Sequence, residues 1–310
     1  MKYIDGEAIK SALPFSRWVD LIEEAMLLDA EKDYMMPERS HVNFDNNTLL
    51  LMPCIAKKYF STKVVSLYPH NPRAGKAALQ GLVILNDRQD GKALAVFDGP
   101  TLTAMRTAAV GSFAVRHLSP AGAKRLGIAG LGVQGMHQAV FACSERDIDE
   151  VTIFDENRDL YSSFISRFNE EYPDIKIRSA GNSRELCENA EIIITATNAT
   201  TPVLPDDEKL LRDKTIIGIG SYKEEMREFP DSLYKIAGCI YLDSMHAIKE
   251  SGDLIYPLKK GLIKKTDLLN AGELLKGDKQ EGPLMVFKSV GSALFDLMGA
   301  VVVYETLYMS

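Results

Sequence analysis

The stretch Arg125–Gly135 (RLGIAGLGVQG) places the tightest constraint on how this chain can fold. It reads as a short apolar strand, a glycine-dense turn and the start of a helix near Met136. Gly130, Gly132 and Gly135 stand at G-x-G-x-x-G spacing. Each glycine answers a separate steric demand. Gly130 permits the tight turn out of the strand. Gly132, with no Cβ, lets the backbone approach a pyrophosphate, and Gly135 lets the new helix pack closely on the strand. The N–H groups and dipole of the helix's first turn then favour an anion. Spacing alone is a weak signal. Here the turn follows a strand, opens a helix and precedes a second strand, Val151–Phe154, that ends on Asp155. That context is the dinucleotide fingerprint. A glycine-rich turn with no ligand is the competing reading.

The pattern after Lys124 alternates strand with helix. Strand candidates are Leu126–Ala129, Val151–Phe154, Ile175–Arg178, Glu191–Ala196, Thr215–Ile219 and Cys239–Leu242, and helices such as Met136–Ser144 and Asn157–Glu170 fill the gaps. Strands that are continuous apolar runs, such as Ile192-Ile193-Ile194, fit a parallel sheet covered on both faces. The predicted architecture is therefore α/β, with a Rossmann-type doubly wound sheet.

The preceding part has a different texture. Ser16–Glu31 carries apolar residues at helical spacing, with Ser16 as the expected N-cap. Thr48–Pro53, Tyr59–Tyr68, Leu79–Leu85 and Lys92–Phe97 are β-rich runs, and Asp87–Gly91 reads as a hairpin connection. These form an antiparallel or mixed sheet with a leading helix. Thr101–Leu118 reads as one long helix, capped by Thr101 or Thr103 and broken at Ser119-Pro120. Met285–Gly291 leads into a last apolar helix ending near Tyr308, expected to return to the first domain. The predicted domains are 1–118 with 290–310, and 119–289.

Composition narrows the function. The chain has 310 residues, 25% of them charged, with a formal net charge of −7. An acidic balance argues against nucleic-acid binding. Cys54, Cys143, Cys187 and Cys239 are far apart, without metal-site spacing. The five histidines (His41, His70, His117, His137, His246) are isolated, so no metal site is expected. Reduced thiols, no bilayer-length apolar run and no signal-peptide core lead to an expected cytoplasmic protein with no membrane partner. No G-x-S-x-G element supports acyl transfer.

Asp155, at the end of the second strand, can accept both ribose hydroxyls of an adenosine, which favours NAD over NADP. Simple capping of the next helix is the alternative, and Arg158 close by can accommodate a 2′-phosphate. Val133, Gln134 and Thr197 join Gly130, Gly132, Gly135, Asp155 and Arg158 as expected cofactor-binding positions. Arg39 precedes the strands in a polar loop, Lys63 interrupts an apolar strand, and Arg106 lies in an Ala/Thr-rich helix. A cation in such surroundings needs an anionic partner. Read one at a time, each also fits a snorkelling surface side chain or a structural ion pair. Met35, Met36 and Met52 read as a flexible binding lip or, more commonly, as core filler.

The stretches Leu51-Met52-Pro53, Lys63-Val64-Val65, Asn71-Pro72, Thr103–Ala109 (TAMRTAA), Gly130–Gln134 (GLGVQ) and Phe287–Gly291 (FKSVG) together resemble the ornithine cyclodeaminase / mu-crystallin family over nearly the whole chain. The resemblance implies a Rossmann domain plus a mixed α/β substrate-binding and dimerisation domain, with a homodimer built through the latter. It implies that Arg39, Lys63 and Arg106 hold a substrate carboxylate near a nicotinamide. It also implies an NAD(P)-dependent oxidoreductase of amino-acid metabolism, acting at the α-carbon of a small amino acid or its imine. The reactions in view are ketimine or pyrroline-2-carboxylate reduction, or oxidative deamination of the alanine dehydrogenase type. Lys63 and Tyr222 are the candidate proton donors, and Lys63, Arg106 and Tyr222 the expected catalytic group. Two departures weigh against ornithine cyclisation with catalytic NAD, which stays as the alternative. Leu50 stands where cyclodeaminases carry a glutamate, and Tyr222 stands at or next to their catalytic aspartate, with Glu224 or Glu225 as substitutes only if the loop shifts. A nucleotide-bound protein without efficient chemistry is the remaining reading.

Overall fold

The computed structural model describes residues 1–277, 279, 280 and 282–309, with the backbone alone at Pro72 and Arg73. The expected first domain ran to Ser310, which lies outside the described residues. The chain divides into two compact units, Met1–Thr107 with Ser292–Ser310, and Ala108–Gly291. The first division falls inside a helix, eleven residues before the expected end of the first domain at Leu118. The second falls after Gly291 rather than before Val290. The contact pattern, not the helix end, decides where one core stops.

The first unit opens with β1 (Lys2–Ile4), α1 (Gly6–Ser11) and α2 (Phe15–Glu31). Trp18, Val19, Leu21, Ile22, Ala25 and Met26 form the buried stripe of α2. Its N-cap is Pro14, not Ser16. A proline has its φ preset for the helix start and no N–H that needs a partner there. Strands β2 (Ser40–Phe44), β3 (Asn47–Ile55), β4 (Tyr59–Leu67), β5 (Leu79–Asp87) and β6 (Ala93–Asp98) follow. They form one six-stranded mixed sheet in the order β1-β6-β5-β4-β3-β2. The pairs from β2 to β6 are antiparallel, and β1 runs parallel to β6. The β5–β6 turn uses Gly91 at φ +76°, where an L side chain would be strained. β1 and β2 were not expected. β1 is too short for a pattern to register, and β2 is exposed along its whole length, so it lacks the apolar alternation that marks a half-buried strand.

Helix α3 (Gly99–Leu118) starts two residues before the expected Thr101. The Asp98 carboxylate, not a threonine hydroxyl, caps it by accepting the Thr101 N–H at 2.8 Å.

The second unit carries eight parallel strands: β7 (Arg125–Ala129), β8 (Glu150–Phe154), β9 (Lys176–Ser179), β10 (Ile192–Thr195), β11 (Thr215–Gly218), β12 (Ile240–Leu242), β13 (Leu268–Asn270) and β14 (Met285–Lys288). Their order is β13-β12-β14-β11-β10-β7-β8-β9. Between the strands lie α4 (Val133–Glu145), α5 (Leu160–Glu171), α6 (Ser183–Glu188), α7 (Glu208–Leu211), α8 (Asp231–Ile236) and α9 (Gly252–Lys260). The run β9-β8-β7-β10-β11 is the 3-2-1-4-5 order of a dinucleotide-binding fold. It reverses between β7 and β10, the point outside whose carboxyl ends such sheets bind ligands. β10 and β11 are buried on both faces, as their unbroken apolar runs require. β14 inserts between β11 and β12, so a late segment of the chain becomes an interior strand.

Helix α10 (Ala293–Tyr308) belongs to the first unit and packs on β3, β4, β5 and α2. It covers one face of the six-stranded sheet, where Met52, Cys54, Tyr59, Ser61, Lys63, Val65, Val83 and Leu85 are buried. The opposite face presents Leu51, Pro53, Phe60, Val64, Leu82, Ile84 and Val96, all partly or fully exposed.

Candidate functional site

In the first unit, two of the three sequence-predicted cations meet on an acid that the sequence did not single out. Lys63 sits mid-strand on β4, in register with Met52 and Val83, on the face that α10 covers. Arg106 comes from α3. Asp296 of α10 stands between them, its Oδ2 2.7 Å from Lys63 Nζ and its Oδ1 accepting from Arg106 Nε at 2.9 Å. All three side chains are at most 6% exposed. Two cations face one carboxylate, so the group carries surplus positive charge in a desolvated place.

The electrostatics follow from that count. Burial pushes the Lys63 ammonium down. Asp296 opposes the drop while Arg106 and Arg39 add to it, and the outcome is about 8. Burial alone would raise the Asp296 carboxyl, but the charges of Arg106 and Lys63 outweigh it and hold the group below the usual carboxylate range. Arg39 directly precedes β2 and is near enough for its charge to act on Lys63. Leu50 pairs with Val65, which puts it on the same sheet face as Lys63 and Met52, where it contributes an apolar wall. Of the methionines, Met52 is buried and Met35 is 54% exposed.

In the second unit the glycine turn leaves β7 where the strand order reverses. Gly130 has φ +96° and donates its N–H to Phe154 O at 2.9 Å. A methyl group on Gly135 would lie 1.8 Å from the Gly130 carbonyl oxygen, so the fold itself demands that glycine. Gly132 differs, because a methyl group there meets nothing within 4 Å. The protein's own packing gives no reason for a glycine at this position, whereas a closely approaching ligand does. Gly132 caps α4 without a side-chain hydrogen bond, leaving first-turn N–H groups available to an anion. Val133 is 61% exposed, and Gln134 Oε1 is buried with no hydrogen-bond partner. A phosphate-bearing cofactor fits this set.

Asp155 braces the turn. Its Oδ2 accepts the Leu131 N–H at 2.8 Å, and its Oδ1 accepts the Asn157 N–H at the same distance. Each carboxylate oxygen keeps lone-pair capacity for a hydroxyl donor. Arg158 is turned to other work: it donates to Ala180 O at 3.1 Å and Gly181 O at 3.0 Å and lies over the Tyr161 ring.

A second buried charge cluster went unnoticed in the sequence. Glu228, in the loop after β11, accepts the Thr197 N–H and Oγ–H on Oε1, and the Gly220 and Ser221 N–H groups on Oε2. It thereby ties the segments leaving β10 and β11 together. Lys288, at the end of β14, lies 4.0 Å from Glu228 and 3.5 Å from Asp253, all three fully buried. Burial pushes the Glu228 carboxyl up, against the pull of Lys288 and with the push of Asp253. Tyr222, beyond this brace, is 43% exposed; burial and then the Glu225 charge raise its phenol, which stays protonated at neutral pH. Glu224 pairs with Lys259 at 2.7 Å on the surface.

The chain as a whole is similar to proteins of known name. The Delta(1)-pyrroline-2-carboxylate reductase of Bacillus cereus is 35% identical over 281 residues, spanning 87% of this chain and 85% of the relative. The ketimine reductase mu-crystallin of Rattus norvegicus is 32% identical over 278 residues, 88% of this chain and 83% of the relative. The structure of Thermococcus litoralis Delta(1)-pyrroline-2-carboxylate reductase in complex with NADH and L-proline superposes with a TM-score of 0.92 at 28% identity, covering 100% of this chain and 98% of that one. An archaeal alanine dehydrogenase dimer with bound NAD gives 0.91 at 26% identity, covering 100% and 96%. The family model for ornithine cyclodeaminase/mu-crystallin matches residues 5–310, and the chain belongs to that family.

Proposed function

We propose that the protein is an NAD(H)-dependent reductase of small cyclic imines that carry a carboxylate on the imine carbon, the pyrroline-2-carboxylate class. The observation that carries this reading is the buried pair of cations against a single acid, Lys63 and Arg106 on Asp296. A site with surplus positive charge and an apolar wall at Leu50 suits a ligand with one carboxylate and a hydrocarbon ring. A distal amino group would meet no acid at position 50, which disfavours ornithine. The relatives named as pyrroline-2-carboxylate and ketimine reductases, and the relative solved with NADH and L-proline, support the same class.

Arg106 presents a planar fork of donors and Lys63 a point charge, and with Arg39 they fix the carboxylate and so the plane of the C=N bond. A dinucleotide held by the glycine turn would supply the hydride for the imine carbon, and reduction also requires one proton at the nitrogen. Lys63, at about 8, holds such a proton at neutral pH, and the protonated Tyr222 phenol is the second candidate donor. Gly130, Gly132, Val133, Gln134 and Gly135 hold the pyrophosphate, and Thr197 shapes the segment leaving β10. Asp155 takes the ribose hydroxyls and repels a 2′-phosphate, which favours NAD over NADP. Arg158 would have to leave two carbonyls to greet that phosphate.

The partly exposed apolar face of the six-stranded sheet supports a homodimer formed through the first unit, as does the dimeric alanine dehydrogenase relative. No helix among the described residues is long and apolar enough to cross a membrane, and the four cysteines are unbridged, which supports a cytoplasmic protein.

The test is oxidation of NADH and NADPH by the purified protein, followed by absorbance, with pyrroline-2-carboxylate, piperideine-2-carboxylate, or pyruvate plus ammonia. Turnover of a cyclic imine with NADH is the expected result. Turnover of pyruvate with ammonia alone would make it an amino-acid dehydrogenase. Conversion of ornithine to proline without net change in NADH would replace the reading with cyclodeamination.

A further inference from the structure

Asp296 lies outside every motif that suggested function, yet it is the point on which the cation cluster closes. We infer that Asp296 is the positioning residue of this site: it holds Lys63 and Arg106 at a fixed separation so that one ligand carboxylate can engage both. The inference rests on the reading of these cations as a carboxylate clamp.

Three observations carry it. Each Asp296 oxygen serves a different cation, Oδ2 for Lys63 and Oδ1 for Arg106, so the carboxylate works as a spacer between them. The acid is buried on a rigid element, in the first turn of α10, the turn that Ser292 caps. The cations come from two different elements, Lys63 from β4 and Arg106 from α3, so a group that touches both sets the distance between them. Without Asp296, two like charges would share a desolvated site, each disfavouring the other.

The charged and titratable groups around Lys63 come from three elements and one loop. Asp296 is on α10, Arg106 on α3 and Arg39 just before β2. Cys54 on β3 also feels the Asp296 charge and, with burial, its thiol is pushed up to about 12, so it stays uncharged. Of these, Asp296 is the group that favours the charged form of Lys63. Removing its charge lowers the pH at which Lys63 gives up its proton. Carboxylate binding, which needs the ammonium, is then lost at lower pH.

The experiment is calorimetric binding of pyrrole-2-carboxylate, a planar unreactive carboxylate, to the full chain saturated with NADH. It is run from about pH 6 to about pH 10 on the wild type, Asp296→Asn and Asp296→Glu. Wild-type affinity should fall as the pH passes about 8. In Asp296→Asn the fall should move down by about one unit or more, so that binding near the wild-type midpoint weakens about tenfold. A folded Asp296→Asn protein with the wild-type midpoint and affinity would overturn the inference. Asp296→Glu keeps the charge but is one methylene longer. It should keep the midpoint and lose affinity, and unchanged affinity would refute the spacer role even if the asparagine variant does not fold. If the wild type binds no probe at any pH, the clamp reading itself fails and the inference goes with it; wild-type binding with an indifferent Asp296 sinks the inference alone.

Discussion

Both donors of Thr197, its N–H and its hydroxyl, end on a single oxygen of Glu228, at 2.7 and 2.8 Å. The other oxygen of Glu228 takes the N–H groups of Gly220 and Ser221. One side chain therefore fixes the two segments that leave the carboxyl ends of β10 and β11. Glu228→Gln replaces one acceptor oxygen with an NH2 group that must face backbone N–H donors. The expected cost is about 2 kcal/mol of stability, seen as a lower Tm. NADH affinity, measured by fluorescence titration, should fall while the Asp155 side of the site is untouched. A variant with wild-type Tm and NADH affinity would show that the brace is dispensable.

The three glycines of the turn should separate cleanly. Gly135→Ala drives a methyl group into the Gly130 carbonyl and should destabilise the fold by about 3 kcal/mol. Gly132→Ala meets no protein atom, so its Tm should stay near wild type. Its NADH affinity should nevertheless drop, because the methyl group occupies the space a pyrophosphate needs. Equal NADH binding by Gly132→Ala and wild type would remove the turn from the cofactor site.

On the proposed carboxylate clamp, Arg106→Ala removes the forked partner of the ligand, and it leaves Asp296 with Lys63 alone. KM for pyrroline-2-carboxylate should rise about 10- to 100-fold, the worth of one charge-assisted hydrogen bond. KM for NADH should change little. Arg106→Lys keeps the charge without the fork and should recover part of the loss. An unchanged imine KM in the alanine variant would exclude Arg106 from substrate binding.

Val64 lies centrally on the exposed apolar face, opposite Leu51 and Leu82. If two copies join through this face, Val64→Asp buries unpaired charges at the junction. Sedimentation should then show a monomer where the wild type is a dimer. A dimer that survives the substitution would place the contact elsewhere.

Much of this molecule was legible in the chain. The glycine turn could be read because its steric demands are local: a positive φ, a close approach and a helix start all fall within a few residues. The same holds for the apolar runs of β10 and β11, whose burial on both faces leaves no polar residue to interrupt them. What could not be read was long-range. Asp296 sits in an apolar helix and resembles a solvated acid until α10 is laid on β4. Glu228 is one of several acids in a polar loop, and nothing local says that it alone turns inward onto four donors. β13 and β14 escaped because short strands late in a doubly wound sheet are recognised by their neighbours rather than by their own pattern. Caps were misjudged at both long helices, where Pro14 and Asp98 outcompeted the hydroxyl residues nearby.

The return of α10 to the first unit also orders events during synthesis. The ribosome makes Lys63 and Arg106 early, then the whole second unit, and only then the helix with Asp296. Domains tend to fold from the N-terminal side as they emerge. The nascent first unit must therefore wait, its sheet face uncovered and its two cations lacking their shared counter-ion, while a complete eight-stranded domain is made. Until its last helix docks, the chain has a second unit that can fold and a pair of buried cations that cannot be neutralised.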